Sequence, residues 1–475
     1  MLIFFACTAM LIIGYFVYGG LVDRLFGPDT SRATPAMCMA DGVDYVPMSK
    51  TKIFLIQLLN IAGLGPVFGP ILGALYGPSA LLWIVFGTLL GGGVHDYFSG
   101  MLSIRYKGQS IPDVVGYNLG PAFKQFMRVF SIILLLLVGV VFVLGPAKLL
   151  AKLSGVEVGM WVAGIFAYYF LATILPIDKI IGRFYPFFGA ILVFMAIAVP
   201  AALMFQGYHM FPNLTLENLH PKHLPMWPLM FITIACGAIS GFHSTQSPLM
   251  SRCVCNEREG RFIFYGAMVA EGFIGLVWAT VGMSFYQSPE ALNASLAAGG
   301  PANVVNEACI ALLGGFGGVL AILGVVVLPI TSGDTAFRAA RLIIADFAKY
   351  SQKESVRRLY IAMPLFAVGY VISLANFDVI WRYFGWANQT LAAIVLWTAA
   401  AYCIKLGKNH WIATVPAVFM TAVTNTYLCN ATIGFNLPMD VATGIGVISA
   451  ILALIWFLYT FRPTRIAQMA AGDNA

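Results

Sequence analysis

Apolar residues along this chain gather in long unbroken runs. They show neither the alternation of a half-buried strand nor the three-to-four spacing of a soluble amphipathic helix. A helix needs about 20 apolar residues to cross the hydrocarbon of a bilayer. Thirteen such spans are expected, near 1–19, 53–75, 80–104, 129–147, 159–175, 184–206, 227–249, 262–285, 308–335, 359–375, 382–403, 411–429 and 440–461. No basic segment precedes the apolar start Leu2–Phe5, so the first run reads as a retained helix rather than a cleaved leader.

Composition strengthens this picture. Of 475 residues, 60% are hydrophobic and 10% charged, against roughly 25% charged in a soluble domain. A soluble enzyme, a disordered chain and a fibrous repeat are excluded. The eight cysteines form no framework: Cys7, Cys236, Cys309, Cys403 and Cys429 lie in or at the ends of apolar runs, where cysteine acts as a small hydrophobe. Cys253 and Cys255 have no second pair nearby, as a soft-metal site would need.

Charge then sets orientation. With the N-terminus outside, 23 of the 27 lysines and arginines fall on the inner side, and only Lys148, Lys152, Lys222 and Arg382 stay outside. Basic loops resist translocation, so the C-terminus is expected in the cytoplasm. The net charge of +7 is therefore spread along one membrane face, and no nucleic-acid partner is expected. The lipid bilayer is the expected partner, with no obligate protein partner evident.

Two spans are interrupted. Gly63, Gly65, Pro66, Gly69 and Pro70 remove backbone donors and stiffness in the second span. The seventh carries Gly237, Ser240, Gly241, His243, Ser244, Thr245, Gln246, Ser247 and Pro248. Irregular backbone at membrane depth persists only where protein buries it or a cavity needs it. Gly91-Gly92-Gly93 and Gly314-Gly315 are read differently, as small residues that permit tight helix packing. Gly65 and Ser240 are 175 residues apart, and each opens a run of five spans entered from opposite sides. The expected fold is an all-α membrane protein with LeuT-like inverted five-helix repeats led by broken helices. It divides into an extra N-terminal helix and cytoplasmic-side loop (1–50), repeats at 51–206 and 226–403, and two C-terminal helices with a tail (404–475).

Buried polar groups are the candidate chemistry. Half-helix ends around Asn60, Gly63, Gly65, Pro66 and Val67, and around Gly237, Ser240, Gly241, His243, Ser244, Thr245 and Gln246, are expected to bind substrate. His95 and Asp96 sit deep in the third span, where ionisable residues are functional candidates; being about 100° apart on a helix, they are expected to meet different neighbours. They either carry a proton or brace a broken helix. Thr331, Ser332 and Asp334 end the ninth span. In LeuT-type folds the third helix of the second unit sets adjacent hydroxyls on sodium, and Thr331 and Ser332 match that place. Asp334 and Arg338 equally suit a plain ion pair. His209, His220 and His223 share a proline-rich outer loop with no readable ligand geometry, so a solvated loop is expected. Asn213 and Asn430 match the glycosylation pattern.

Gly92-Gly93-Val94-His95-Asp96, Arg105-Tyr106-Lys107-Gly108-Gln109-Ser110-Ile111, Gly241 to Pro248 with Arg252, and Asn60 to Pro66 with Gly69-Pro70-Ile71 resemble the carbon starvation protein A (CstA) family over roughly residues 50–350. The chain is shorter than many members and is expected to lack their additional C-terminal helices. The resemblance implies a bacterial inner-membrane transporter of peptides or amino acids, with relatives that take up pyruvate with protons. The expectation is a secondary active importer and not an enzyme, with no cofactor beyond a coupling cation, proton or sodium. An importer of pyruvate or another small carboxylate, and a channel, are the alternatives. No phosphate-binding glycine loop is present to use ATP.

Overall fold

A helix with no polar face satisfies its backbone internally, which is what lipid demands, and the apolar runs fold accordingly. The computed structural model describes residues 2–42, 44–174, 177–209, 215–352 and 354–462, with 174, 177–186 and 355 as backbone alone. Asn213, Lys353 and Arg465 lie outside the described residues. The main helices are α1 (Leu2–Phe26), α2 (Lys50–Ile61), α3 (Gly65–Gly73), α4 (Ser79–Arg105), α5 (Pro121–Ser154), α6 (Val158–Ile174) and α7 (Ile177–Phe205). They continue with α8 (Met226–Thr233), α9 (Gly241–Ser251), α10 (Glu257–Phe285), α11 (Pro289–Ala348), α12 (Ser355–Ser373), α13 (Phe377–Lys405), α14 (Trp411–Asn430) and α15 (Met439–Thr460). No strand occurs among the described residues.

Among the described residues, ten helices are long and apolar enough to cross a membrane, and α2 with α3 makes an eleventh, bent by 51°. The other two expected spans are short: α6 is a 17-residue apolar helix, and α8 with α9 is the second interrupted pair. Each interrupted pair is followed by four helices, giving the two sets of five.

Three expectations are revised here. The ninth span does not stop near 335: α11 continues to Ala348, so Arg338 and Arg341 are buried within a helix rather than placed in a loop. Gly314 does not serve close packing. Its φ of +70° kinks α11, and a Cβ there would meet nothing. The outer histidine loop is not simply solvated, because His220 is buried against Tyr76 with ring centroids 4.8 Å apart. By contrast, Gly92 and Gly93 do pack tightly, against the carbonyl of Ala238 and the ring of Tyr265. Gly87–Gly92 is wound as a π-helix.

The core gathers around the broken helices. α9 packs on α2 and α4, while α10 packs on α2 and α3. α5 lies along α11. α1 and α15 stand at the rim, turning Ile13, Phe16 and Val17, and Ile448, Leu452 and Ile455, outward as lipid-facing surface.

Candidate substrate and ion site

The two breaks meet. α2 ends at Ile61, Ala62 leaves the helical region, and α3 restarts at Gly65 with Pro66 in its first turn. A Cβ on Gly65 would fall 2.1 Å from Cys236 Cβ, and one on Gly63 would fall 2.2 Å from the Phe142 ring. Only glycine lets these backbones approach so closely. Asn60 and Val67 are buried on either side of the break.

Breaking a helix frees carbonyls, and neighbouring spans take them up. Gly63 N–H donates to Ile61 O (2.8 Å) instead of to Leu59 O. Leu59 O instead lies within reach of the hydroxyls of Thr331 (3.2 Å) and Ser332 (3.0 Å) on α11, which share their protons with Leu328 O of their own helix (2.8 and 2.9 Å). At the second break, Ile234 O accepts from Trp83 Nε1 (3.0 Å), and Gly237 O accepts from Thr88 Oγ1 (3.1 Å). Asn388 of α13 caps the start of α9: its Oδ1 accepts from Phe242 N–H (2.7 Å) and from Ser240 Oγ (3.1 Å). Gly241 sits against the Asn388 carbonyl, where a Cβ would lie 2.3 Å away.

Beside the breaks lies a buried line of four ionisable side chains. His95 Nδ1 is 2.7 Å from Asp96 Oδ1, Asp96 Oδ2 is 2.9 Å from His243 Nδ1, and His243 Nε2 is 3.1 Å from Glu271 Oε2. All four are wholly shielded from solvent. The last approach lacks the alignment of a full hydrogen bond, and among the described residues His95 Nε2 and both Glu271 oxygens have no partner. His95 and Asp96 thus touch one another, where separate neighbours were expected, and Asp96 alone also reaches His243. Glu271 was missed by sequence reasoning. Its signal was present: it is a lone carboxylate in the apolar run 262–285.

The other expected residues divide. Ser244 and Thr245 turn their hydroxyls onto Gly241 O (2.7 Å) and Phe242 O (2.6 Å) of their own helix, as serine and threonine do in buried helices. Gln246 donates to Thr245 Oγ1 (2.9 Å), leaving its Oε1 buried and unbonded. Gln57, one turn before the first break, is fully buried with neither amide atom bonded. Asp334 faces Arg338 at 3.8 Å, the plain ion pair, while Thr331 and Ser332 face Leu59. With His95 and Asp96, the ion candidates therefore form three groups rather than one.

A cavity of about 930 Å³ opens on the side bearing Lys148 and Lys152, floored by Phe68 and Trp381. Below it, Trp381, Phe384, Phe142 and Phe242 follow one another with ring centroids 5.4, 6.2 and 5.7 Å apart, down to the second half-helix. Toward the opposite side, Thr245, Pro248, Arg252 and Asp346 line a space of about 20 Å³. There the Arg105–Ser110 loop is pinned: Arg252 donates to Gly108 O (2.9 Å), and Arg105 reaches Glu257 (3.1 Å) and Tyr402 OH (2.6 Å). Among the described residues the larger space thus lies on the Lys148 side and the smaller one beside Arg252.

Comparison with known proteins agrees with this architecture. A mutant of the manganese transporter of Eremococcus coleocola superposes with TM-score 0.57 at 12% identity, covering 89% of this chain and 99% of that one. MhsT in complex with L-phenylalanine gives 0.57 at 14% identity, over 85% and 99%. These are LeuT-fold transporters, and the likeness is one of fold. An uncharacterised membrane protein of Haemophilus influenzae is 49% identical over 352 residues, 63% of this chain and 95% of its own. The peptide transporter CstA of Escherichia coli is 26% identical over a 563-residue alignment, 89% of this chain and 79% of its own. The pyruvate/proton symporter BtsT of Escherichia coli is 25% identical over 57% of this chain and 47% of its own. The family model for carbon starvation protein CstA matches residues 1–156, 147–312 and 288–427. This multi-pass membrane chain, with its paired broken helices, belongs to the carbon starvation protein CstA family.

Proposed function

We propose that the chain is a secondary active importer of peptides or amino acids in a bacterial inner membrane, coupled to protons and working by alternating access. The supporting observation is the His95–Asp96–His243–Glu271 line beside the two breaks. Two carboxylates buried in low dielectric require two compensating protons on the cluster. These are held either as two imidazolium groups or as one imidazolium and a carboxylic acid. Removing one proton leaves a net negative charge, tolerable only when water or a substrate cation reaches the site. Proton occupancy and conformation are thereby linked. One named relative is a peptide transporter and another a pyruvate/proton symporter, so pyruvate is the alternative substrate.

Sodium is a second reading, favoured by the three oxygens that converge at Leu59 O, Thr331 and Ser332, a donor set suited to a hard cation. The orientation follows the charge bias, with the 930 Å³ cavity facing outward. Both repeats, 51–206 and 226–403, contribute one broken helix to the centre.

The test is current recording on a solid-supported membrane with proteoliposomes. Di- and tripeptides, single amino acids and pyruvate are applied at varied pH and sodium. Peptide-evoked currents that follow the imposed pH gradient, with uphill accumulation, are expected. Purely downhill flux would make the protein a channel, and sodium-dependent, pH-independent current would move the coupling to Thr331 and Ser332.

A further inference from the structure

The outer side of the chain carries four basic residues, Lys148, Lys152, Lys222 and Arg382, and all four line the one 930 Å³ cavity. They come from α5, the loop before α8, and α13, so sequence proximity does not explain their convergence. Lys148 and Lys152 are successive turns of α5, about 6 Å apart along its axis. Basic residues on an outer face work against insertion, so their collection in a single cavity calls for a role there.

Their pairing differs from that of Arg105 and Lys124. On the inner face Arg105 and Lys124 each meet a carboxylate, Glu257 at 3.1 Å and Asp113 at 2.6 Å. Among the described residues, none of the four outer cations has a carboxylate within 4.0 Å. Lys148 rests over the Phe377 ring at 4.3 Å, Lys152 donates to Asn303, and Arg382 reaches only Thr432 Oγ1 at 3.5 Å. Among the described residues, Asp378 is the one carboxylate in the lining. Glu307, behind Asn303, is held by Tyr286, Ser295 and Asn303 at 2.6–2.8 Å. Counting both acids still leaves a surplus of two positive charges.

A concave wall with a surplus of one sign between low-dielectric helices focuses its field and concentrates counter-ions. We infer that this cavity is an outer receiving site for a carboxylate, which Lys148, Lys152, Lys222 and Arg382 draw in and hold above the Phe68–Trp381 floor before the broken helices are reached. The carboxylate belongs either to a small organic acid or to a peptide C-terminus. As a step in uptake, this rests on the importer reading; the potential of the cavity does not.

Two measurements separate those claims. In intact cells, Leu224→Cys places a thiol in the cavity wall, and chain lacking that substitution is the control. Labelling rates with the anionic sulfonatoethyl and the cationic trimethylammonium methanethiosulfonates are each normalised to free cysteine. The anionic reagent is expected to be favoured by roughly tenfold. The preference should collapse in high salt and with Lys148→Gln/Arg382→Gln. A ratio of one or below overturns the inference whether or not any substrate is transported.

The second measurement is uptake of pyruvate, Ala-Ala, Ala-Glu and Ala-Lys by wild-type and Lys148→Gln/Arg382→Gln proteoliposomes. The double variant is expected to raise KM several-fold in the order of substrate negative charge, with kcat retained. A rise confined to pyruvate assigns the carboxylate to a small acid, and a graded rise among the dipeptides assigns it to peptides. An unchanged KM for all four substrates overturns the inference. Absence of uptake by the wild type would instead defeat the importer reading, with the labelling ratio still deciding the cavity.

Discussion

His243 Nε2 stands 3.1 Å from Glu271 Oε2, joining a half-helix that begins at a backbone break to the middle of the next span. The same imidazole holds Asp96 at its other nitrogen, so one side chain bridges the two buried carboxylates.

Replacing either end of that bridge has distinct consequences. Glu271→Gln keeps the shape and removes the proton-accepting carboxylate. The expected result is folded protein whose substrate-evoked current no longer tracks an imposed pH gradient. His243→Ala strands Glu271, leaves Asp96 with His95 alone, and is expected to cost about 3 kcal/mol or more, read as a drop in thermal stability in detergent. An unchanged pH profile for Glu271→Gln would remove the cluster from coupling.

Gly65 and Cys236 define the contact between the breaks. Gly65→Ala puts its methyl 2.1 Å from Cys236 Cβ and should cost about 1–3 kcal/mol with most of the transport activity. Adding Cys236→Gly removes the opposing atom and should restore both. A double-mutant cycle checks this, and strict additivity would show that the two positions do not meet.

Leu59 O depends on Thr331 and Ser332 together. Either single alanine variant leaves one donor, so a loss of about 1 kcal/mol is expected. The double variant orphans a buried carbonyl and should lose more than the sum. Thermal unfolding with and without sodium checks this and the second coupling reading at once: stabilisation by sodium that the double variant abolishes would place a cation there.

Asn388→Ala removes the acceptor of two hydrogen bonds at the start of α9. A loss of about 1 kcal/mol, as for an N-cap residue, is expected, together with reduced transport. Asn388→Asp keeps the oxygen and should keep most of the stability. Hydrogen exchange at Phe242 and its neighbours would register the difference.

Much of this was legible in the chain itself, for physical reasons. Proline and glycine act on the backbone locally, so Gly63–Pro70 and Gly237–Gly241 announced their breaks without a structure. Lipid tolerates so few charges that His95 and Asp96 inside a span were informative by position alone. What remained hidden depended on which spans touch. Glu271 carried the same local signal, but its value comes from His243, on another helix. The hydroxyls of Thr331 and Ser332 needed a carbonyl some 270 residues earlier, and Asn388 needed the half-helix it caps. The four outer cations are scattered across 234 positions, from Lys148 to Arg382, and only the closure of α5 and α13 around one cavity gives them a common field. Local chemistry decided where helices cross and break, whereas partnership between buried polar groups belongs to the tertiary fold, because each needs a partner from a distant part of the chain.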